Sequence, residues 1–209
     1  MTQRTEPIVV EQVLVYVGTV TFAVAGALTA VQKRFDVVGV LVLAAVTAIG
    51  GGSIRDLVVG IVPPTSLTDE PLLWTVFATG LAVFLLHRFV PEGRTLYLFD
   101  TVALGIFAAL GAERGLDAGF GLWGTVFVGS VSGVGGGIIR DVLSGEVPGI
   151  LYRSGDLYAS AAALGAAITF ALHGTSPTLA LIAGAAVAIG LRLGSRIAGL
   201  DLPVPRTDS

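Results

Sequence analysis

The chain has 209 residues, of which 54% are hydrophobic and only 13% are charged, with a formal net charge of −3. Soluble domains carry about 25% charged residues, so this composition excludes a soluble enzyme, a nucleic-acid-binding protein and a disordered chain. It predicts a polytopic membrane protein. With no Cys and only two His, the sequence offers no disulfide framework and no thiol nucleophile. We therefore expect no catalytic residues, no cofactor and no metal site.

Seven stretches are apolar enough to cross a bilayer, which takes about 20 mostly apolar residues. The predicted spans are 12–32, 37–54, 71–86, 95–112, 118–139, 157–172 and 178–197. The last two come from one uncharged stretch, which we divide at the turn signal between His173 and Pro177. Because the third and fourth spans are the weakest, five or six spans are the alternative.

The distribution of Lys and Arg predicts the orientation, because cytoplasmic loops carry an excess of both. With seven spans, one side of the membrane receives two Lys or Arg residues and the other side receives eight. The first side has Arg4 and Arg114; the second has Lys33, Arg34, Arg88, Arg94, Arg153, Arg192, Arg196 and Arg206. We expect a plasma-membrane protein with its N-terminus outside and its C-terminus in the cytoplasm.

The sequence contains an internal repeat at a constant offset, since GGGSIRD at 50–56 returns as GGGIIRD at 135–141. Nine of the fourteen positions in 50–63 are identical to their partners. Each repeat holds three predicted spans, so the second copy enters the membrane from the opposite side. The predicted fold is an all-α membrane domain over 1–209. It contains inverted three-helix repeats at 10–89 and 95–173, and a seventh helix at 177–197.

Three successive glycines within each repeat lower helix propensity by about 1 kcal/mol per residue. Either the helix opens there and its carbonyls line a water-filled path, or the glycines let a neighbouring helix approach closely. We favour opened helices. The predicted pore and hinge residues are Gly50, Gly51, Gly52, Gly135, Gly136, Gly137, Thr47 and Ser132.

Charged residues near the glycines are expected to form structural pairs, although snorkelling to the lipid headgroups is an alternative. The residues concerned are Arg55, Asp56, Arg140, Asp141, Asp100 and Glu11. Depth along the helices predicts that Asp100 binds Arg140 and that Glu11 binds Arg55. Small residues at a spacing of four, Ala186, Gly190, Gly194 and Ala198, predict close helix contacts within or between subunits.

The duplicated GGGxxRD motif, each copy followed by Gly and Val-Pro, resembles the trimeric intracellular cation channel family. The likeness is strongest to its bacterial and archaeal members, some of which carry a glycine-transporter label. The resemblance implies seven helices in two inverted repeats plus one, assembled as a homotrimer. It also implies one pore per protomer for monovalent cations, chiefly potassium, between the second and fifth helices.

Three functions are therefore weighed. The leading hypothesis is a passive channel for potassium and sodium ions, with membrane lipid and further copies of the chain as its other partners. The second is a secondary transporter of a small amino acid such as glycine, because broken helices can bind carboxylate and ammonium groups through their dipoles. The third is a non-conducting scaffold, for which a duplicated glycine motif has no obvious use.

Overall fold

In the computed structural model the described residues are 6–89, 93–151 and 157–200. Arg4, Arg153 and Arg206, which enter the charge count, lie outside them. The helices found in these residues are α1 (Glu6–Gln32), α2 (Val37–Val58), α3 (Thr65–Thr68), α4 (Glu70–Leu86), α5 (Arg94–Asp117), α6 (Leu122–Leu143), α7 (Tyr158–Leu172) and α8 (Pro177–Ala198). Short 3₁₀ turns follow α4 and α6.

The predicted all-α membrane fold is confirmed. Among the described residues, six helices are long and apolar enough to cross a membrane, and α7 is a shorter apolar helix of 15 residues. At about 1.5 Å per residue, α7 is shorter than the roughly 30 Å hydrocarbon core. The four-residue α3 lies between α2 and α4 and spans nothing.

Helix ends explain where the predicted spans need correction. The predicted fifth span starts at residue 118, but α6 starts at Leu122 because Gly119 adopts a φ of +80° in the loop before it. The second span was predicted to end at residue 54 because charges follow. In fact α2 continues to Val58, since Arg55 and Asp56 neutralise each other inside the protein.

Ion pairs identify which helix ends lie on the same face of the molecule. Glu11 near the start of α1 accepts a hydrogen bond from Arg114 near the end of α5, at 2.7 Å. Lys33, just after α1, binds Glu146, just after α6. We call the first side the N-terminal face and the second the C-terminal face. The helices cross alternately between them.

The repeats pack around a pseudo-twofold relation. Helices α1, α2 and α4 pack together, as do α5, α6 and α7, and the two groups meet through α2 against α6 and α1 against α5. Helix α8 packs against α5 and α7. Phe22 and Phe107, which occupy matching positions of the two repeats, stack on each other with ring centroids separated by 5.4 Å. Equivalent residues therefore meet at the centre of the molecule.

Candidate functional site

The two glycine motifs meet where α2 crosses α6. Both helices run unbroken through their glycines, so the expectation that they open there is wrong. A Cβ on Gly51 would press on the Ser132 carbonyl and lie 3.1 Å from the Gly136 nitrogen, and one on Gly136 would press on the Thr47 carbonyl. The middle glycines therefore serve close backbone approach, which was the second of the two weighed uses.

The hydroxyl residues predicted to face a path lie at this crossing instead. Thr47 and Ser132 are both fully buried. The Thr47 hydroxyl donates to the Leu43 carbonyl of its own helix at 2.6 Å. The Ser132 hydroxyl has no hydrogen-bond partner among the described residues. Neither side chain contributes to the wall of the cavity described next.

A cavity of about 330 Å³ opens on the N-terminal face, beside the crossing and between the helices of the first repeat and α5. Of the predicted pore glycines, Gly52 lines it. The nearest atoms to a Cβ placed on Gly52 are 3.8 Å and 3.9 Å away, so a methyl group there would make ordinary van der Waals contacts at the cavity wall. The other lining residues come from α1, α2, the α3 segment, α4 and α5. The polar ones are Glu11, Gln12, Tyr16, Thr19, Arg55, Thr65, Ser66, Asp69 and Arg114.

An internal ion pair neutralises the arginine that faces the cavity. Arg55 donates to the Asp56 carboxylate at 2.8 Å through Nε and at 2.7 Å through Nη2. The other oxygen of Asp56 accepts from the backbone nitrogen and hydroxyl of Thr65 at 2.8 Å and 2.7 Å. Arg55 is only 6% exposed, so the pair lies within the protein instead of snorkelling. It joins the end of α2 to α3.

The predicted pairing of Glu11, an acidic side chain at the mouth of the cavity, is wrong. Glu11 does not bind Arg55 but Arg114, which stands on the neighbouring α5 at the same depth. Asp69 accepts from the Leu72 nitrogen at 3.0 Å and caps α4. Within the described residues, no Lys or Arg lies within salt-bridge distance of Asp69. The cavity wall therefore carries one carboxylate that no neighbouring cation in the described part of the chain neutralises.

The second repeat reproduces the internal pair. Arg140 donates to Asp141 at 2.9 Å and 2.7 Å, and Asp141 accepts from the Gly149 nitrogen at 3.0 Å. The expected ion pair between Asp100 and Arg140 is present as well. Asp100 is only 2% exposed and stands on α5. Depth along the helices was sufficient to predict this ion pair, because Asp100 and Arg140 face each other across the contact between α5 and α6.

Two residues that the sequence analysis did not assign complete this cluster. Arg192 of α8 donates to the second oxygen of Asp100 at 2.7 Å. Its guanidinium lies 4.2 Å from the ring centre of Tyr158, at the start of α7. Both side chains are buried, with 4% and 8% exposed. Arg192 had been counted as a loop charge. Its position inside the predicted span 178–197 was the signal that could have assigned it to the interior.

The described residues contain no group of three or more His, Asp or Glu side chains that could hold a metal ion. The polar features described above are thus an open cavity between the first repeat and α5, and a filled ionic cluster between the second repeat and α8. They lie on opposite sides of the glycine crossing.

The chain is similar in sequence to a known family of membrane proteins. A family model described as glycine transporter matches residues 12–88 and again residues 97–174. A UPF0126 membrane protein of Deinococcus radiodurans is 48% identical over 91% of this chain and 89% of its own length. The UPF0126 inner membrane protein YadS of Escherichia coli K12 is 40% identical over 71% of this chain and 72% of its own length.

A solved structure gives the same fold. The TRIC trimeric intracellular cation channel orthologue from Rhodobacter sphaeroides superposes with a TM-score of 0.85 at 38% identity. The match covers 91% of this chain and 99% of that protein's chain. The two family-model matches, from residue 12 and from residue 97, start at equivalent positions of the two repeats. The chain belongs to the trimeric intracellular cation channel family, in the group that the glycine-transporter model describes.

Proposed function

We propose that the chain is a passive, potassium-preferring channel for monovalent cations, assembled as a homotrimer with one pathway in each protomer. The observation that carries this proposal is the polar cavity that enters the protomer and ends at Gly52. The solved relative from Rhodobacter sphaeroides is named a trimeric cation channel. The exposed small-residue face of α8, which includes Gly190 and Gly194, is available for subunit or lipid contact.

The pathway is proposed to run beside the α2–α6 crossing. At the crossing itself, Gly51 and Gly135 approach so closely that a Cβ on Gly135 would lie 3.0 Å from the Gly51 Cα. That contact leaves no room for an ion. The cavity reaches Gly52, the third glycine of the α2 motif. The proposed route continues from there past Gly137, the third glycine of the α6 motif, to the other face.

The charges of the cavity favour cations over anions. Arg55 and Arg114 are each held by a carboxylate, so neither presents an uncompensated positive charge. Asp69 adds a negative charge at the wall, which raises the local cation concentration. Hydroxyl groups such as those of Thr19 and Ser66 can replace part of the hydration shell of a monovalent cation.

A secondary transporter of a small amino acid is the alternative, and one observation favours it. The same cavity presents both guanidinium and carboxylate groups, which are the partners of the two ends of a zwitterion. The family model that matches both repeats is described as glycine transporter. A transporter would bind its substrate there and change conformation in each cycle.

Reconstitution of the purified protein in planar bilayers separates the two functions. A channel gives unitary current steps and a potassium reversal potential, because transporters turn over too slowly to give resolvable steps. The same protein in liposomes is then given labelled glycine. Glycine uptake without unitary current would establish the transporter and overturn the channel. Native mass spectrometry in mild detergent tests the trimer, which a stable monomer or dimer would contradict.

A further inference from the structure

The wall of the cavity on the N-terminal face carries an unbalanced negative charge. The guanidinium groups of Arg55 and Arg114 are paired with Asp56 and Glu11, each at 2.7 Å. Asp69 adds a third carboxylate, and no Lys or Arg of the described residues lies within salt-bridge distance of it. Two positive and three negative groups therefore leave one negative charge beside the cavity, and that charge belongs to Asp69.

A hydroxyl group without a partner lines the same cavity. Thr19 of α1 is only 1% exposed and contributes to the cavity wall. No residue in the described part of the chain forms a hydrogen bond with its hydroxyl. Other buried threonines, such as Thr29 and Thr47, donate to a carbonyl one turn back in their own helix. Buried polar groups are normally hydrogen-bonded, so the Thr19 hydroxyl is available to a ligand of the cavity.

Tyr16 connects the carboxylate with this hydroxyl. It stands one turn from Thr19 on the same face of α1, and it interacts electrostatically with Asp69. Ser66 of α3 adds a further hydroxyl to the wall, 3.0 Å from the hydroxyl of Ser53. Asp69, Tyr16 and Thr19 therefore follow one another from the mouth of the cavity inward.

This set of oxygen atoms suits a monovalent cation that keeps part of its hydration shell. Hydroxyl and carboxylate oxygens can replace some of the water molecules around such an ion. Calcium takes about six to eight oxygen ligands, several of them usually from carboxylates. Asp69 is a single unpaired carboxylate, which attracts a monovalent ion but is too little charge to hold a divalent one.

The second half of the protomer has apolar residues at the equivalent positions. Leu104 occupies the position in α5 that matches Thr19 in α1. Leu157 precedes α7, just as Asp69 precedes α4, the equivalent helix of the first repeat. A carboxylate and a hydroxyl in the first half thus correspond to two leucines in the second. These positions give the cation-binding oxygens to the N-terminal side of the glycine crossing.

We propose that Asp69, Tyr16 and Thr19 form the site at which a permeating monovalent cation first binds on the N-terminal side of the pathway. This inference rests on the proposed channel function and assigns its entry step to named residues. Asp69 attracts the ion, and the hydroxyls of Tyr16 and Thr19 take the place of water molecules as the ion moves inward. Because the site lies on one side of the crossing, its effect on the current depends on the direction of flow.

Thallium(I) is the probe for the site, because it has the charge and nearly the size of potassium and scatters X-rays anomalously. Crystals of the parent protein soaked in a thallium salt should show an anomalous peak beside Asp69, and crystals of Asp69→Asn should lack it. Asn still accepts the hydrogen bond from the Leu72 nitrogen that caps α4, so the helix end is kept. Glu70→Gln is the matched control and should keep the peak, because this neighbouring carboxylate is exposed and lies outside the cavity wall.

Unitary currents in planar bilayers test the entry role. At 0.15 M salt, Asp69→Asn should lower the potassium current that enters from the N-terminal face several-fold and change the opposite current less. At 1 M salt the difference should shrink, because the Debye length falls from about 8 Å to about 3 Å. Glu70→Gln should stay close to the parent in both directions, since water screens its exposed carboxylate.

Thr19→Val tests the deeper end of the site. Valine has nearly the shape of threonine, and no hydrogen bond within the described residues is lost, so the unfolding temperature should be kept or rise. The potassium current should fall at both salt concentrations, because one oxygen that replaces water around the ion is missing. Thr21→Val is the matched control and should conduct like the parent. Its hydroxyl bonds the carbonyls of Val17 and Gly18 on the same helix, outside the cavity wall.

The outcomes separate the site from the channel. If the parent conducts but binds no thallium beside Asp69, or if a folded Asp69→Asn conducts like Glu70→Gln, the site is wrong and the channel stands. If Asp69→Asn does not fold, Thr19→Val and Thr21→Val decide in its place, and equal currents overturn the site. If neither the parent nor any folded variant gives unitary current, the proposed channel function fails, and the entry site fails with it.

Discussion

Two adjacent glycines of the α2 motif have different neighbours. Substituting them one at a time therefore tests helix packing and ion permeation separately. Gly51 is pressed against the backbone of α6, whereas Gly52 borders the cavity. Gly51→Ala is expected to lower the free energy of unfolding by about 1–3 kcal/mol, because the added methyl group overpacks a contact between two backbones. Thermal unfolding in detergent measures the loss, and Gly136→Ala should behave alike.

Gly52→Ala is the control for this prediction, since it lies in the same helix and the same motif. Its methyl group would make ordinary contacts at 3.8 Å, and alanine raises helix propensity by about 1 kcal/mol. Stability should therefore be kept or increased, while potassium flux in liposomes falls because the cavity narrows. Equal stability of the Gly51 and Gly52 variants would contradict the close packing of the middle glycines.

The two ion pairs beside the cavity should differ greatly in their effect on the free energy of unfolding. In the pair of Arg55 with Asp56 the side chains are 7% and 0% exposed, whereas in the pair of Arg114 with Glu11 they are 32% and 26% exposed. Asp56→Asn leaves a buried guanidinium without its counter-charge and should cost about 3–5 kcal/mol. Glu11→Gln should cost about 1 kcal/mol or less.

Thermal unfolding of the two variants at equal detergent concentration measures this difference. Asp56→Asn also weakens the hydrogen bonds to Thr65 that hold α3 at the end of α2. A loss as small as that of Glu11→Gln would mean that Arg55 finds water or another acceptor inside the cavity.

At the scale of helices, the α7–α8 hairpin has one close backbone contact and one open face. A Cβ on Gly165 would lie 2.7 Å from the Gly184 carbonyl, whereas nothing lies within 4 Å of a Cβ on Gly190. Gly165→Ala is therefore expected to destabilise the protein by about 1–3 kcal/mol through overpacking. Gly190→Ala should leave the unfolding temperature of the protomer unchanged or slightly higher, because alanine favours the helix.

Unfolding temperatures of the two single variants in the same detergent test this expectation. Loss of stability in Gly190→Ala alone would show that its face is packed against another subunit in the assembled protein. Loss in neither variant would mean that α7 and α8 can separate at no cost, against the observed contact of Gly165 with Gly184.

Counting residues along the sequence predicted the helices and the depth of each charged residue, but not the direction in which its side chain points. The hydrophobic stretches located the helices, and the constant offset between the repeats made Gly52 equivalent to Gly137. Counting residues at about 1.5 Å each fixes how deep a charge lies. It does not fix which neighbouring helix the charge faces, so Glu11 was assigned to Arg55 although its partner is Arg114. Asp100 and Arg140 share both depth and direction.

The glycine motifs show the same limit at the level of helix pairs. Three glycines weaken a helix on its own, which is the reason to expect an opening there. Here the packing of α2 against α6 offsets the low helix propensity of the glycines, because the two backbones are in contact at Gly51 and Gly136. Propensity counts only local terms, and this contact comes from the other repeat, far away along the chain.

For the molecule as a whole, an odd number of crossings places the two ends of the chain on opposite faces, just as three crossings in the first repeat make the second repeat inverted. Thr68 and Thr175 are exposed at the N-terminal face, and Leu200 is exposed at the C-terminal face. The sequence contains no Cys, so a single cysteine introduced at any of these positions is the only thiol to react.

Cysteines at Thr68 and Thr175 should react with a membrane-impermeant maleimide in intact cells, and one at Leu200 only after permeabilisation. The reason is the excess of Lys and Arg at the helix ends of the C-terminal face. Among the described residues, and apart from the buried arginines, Arg114 lies at the N-terminal face, and five lie at the C-terminal face: Lys33, Arg34, Arg88, Arg94 and Arg196. The reverse labelling pattern would overturn the orientation and leave the fold intact. Labelling of Thr68 and Leu200 from the same side would be more damaging. It would require an even number of crossings between these two positions, so that at least one of the helices from α4 to α8 would not span the membrane.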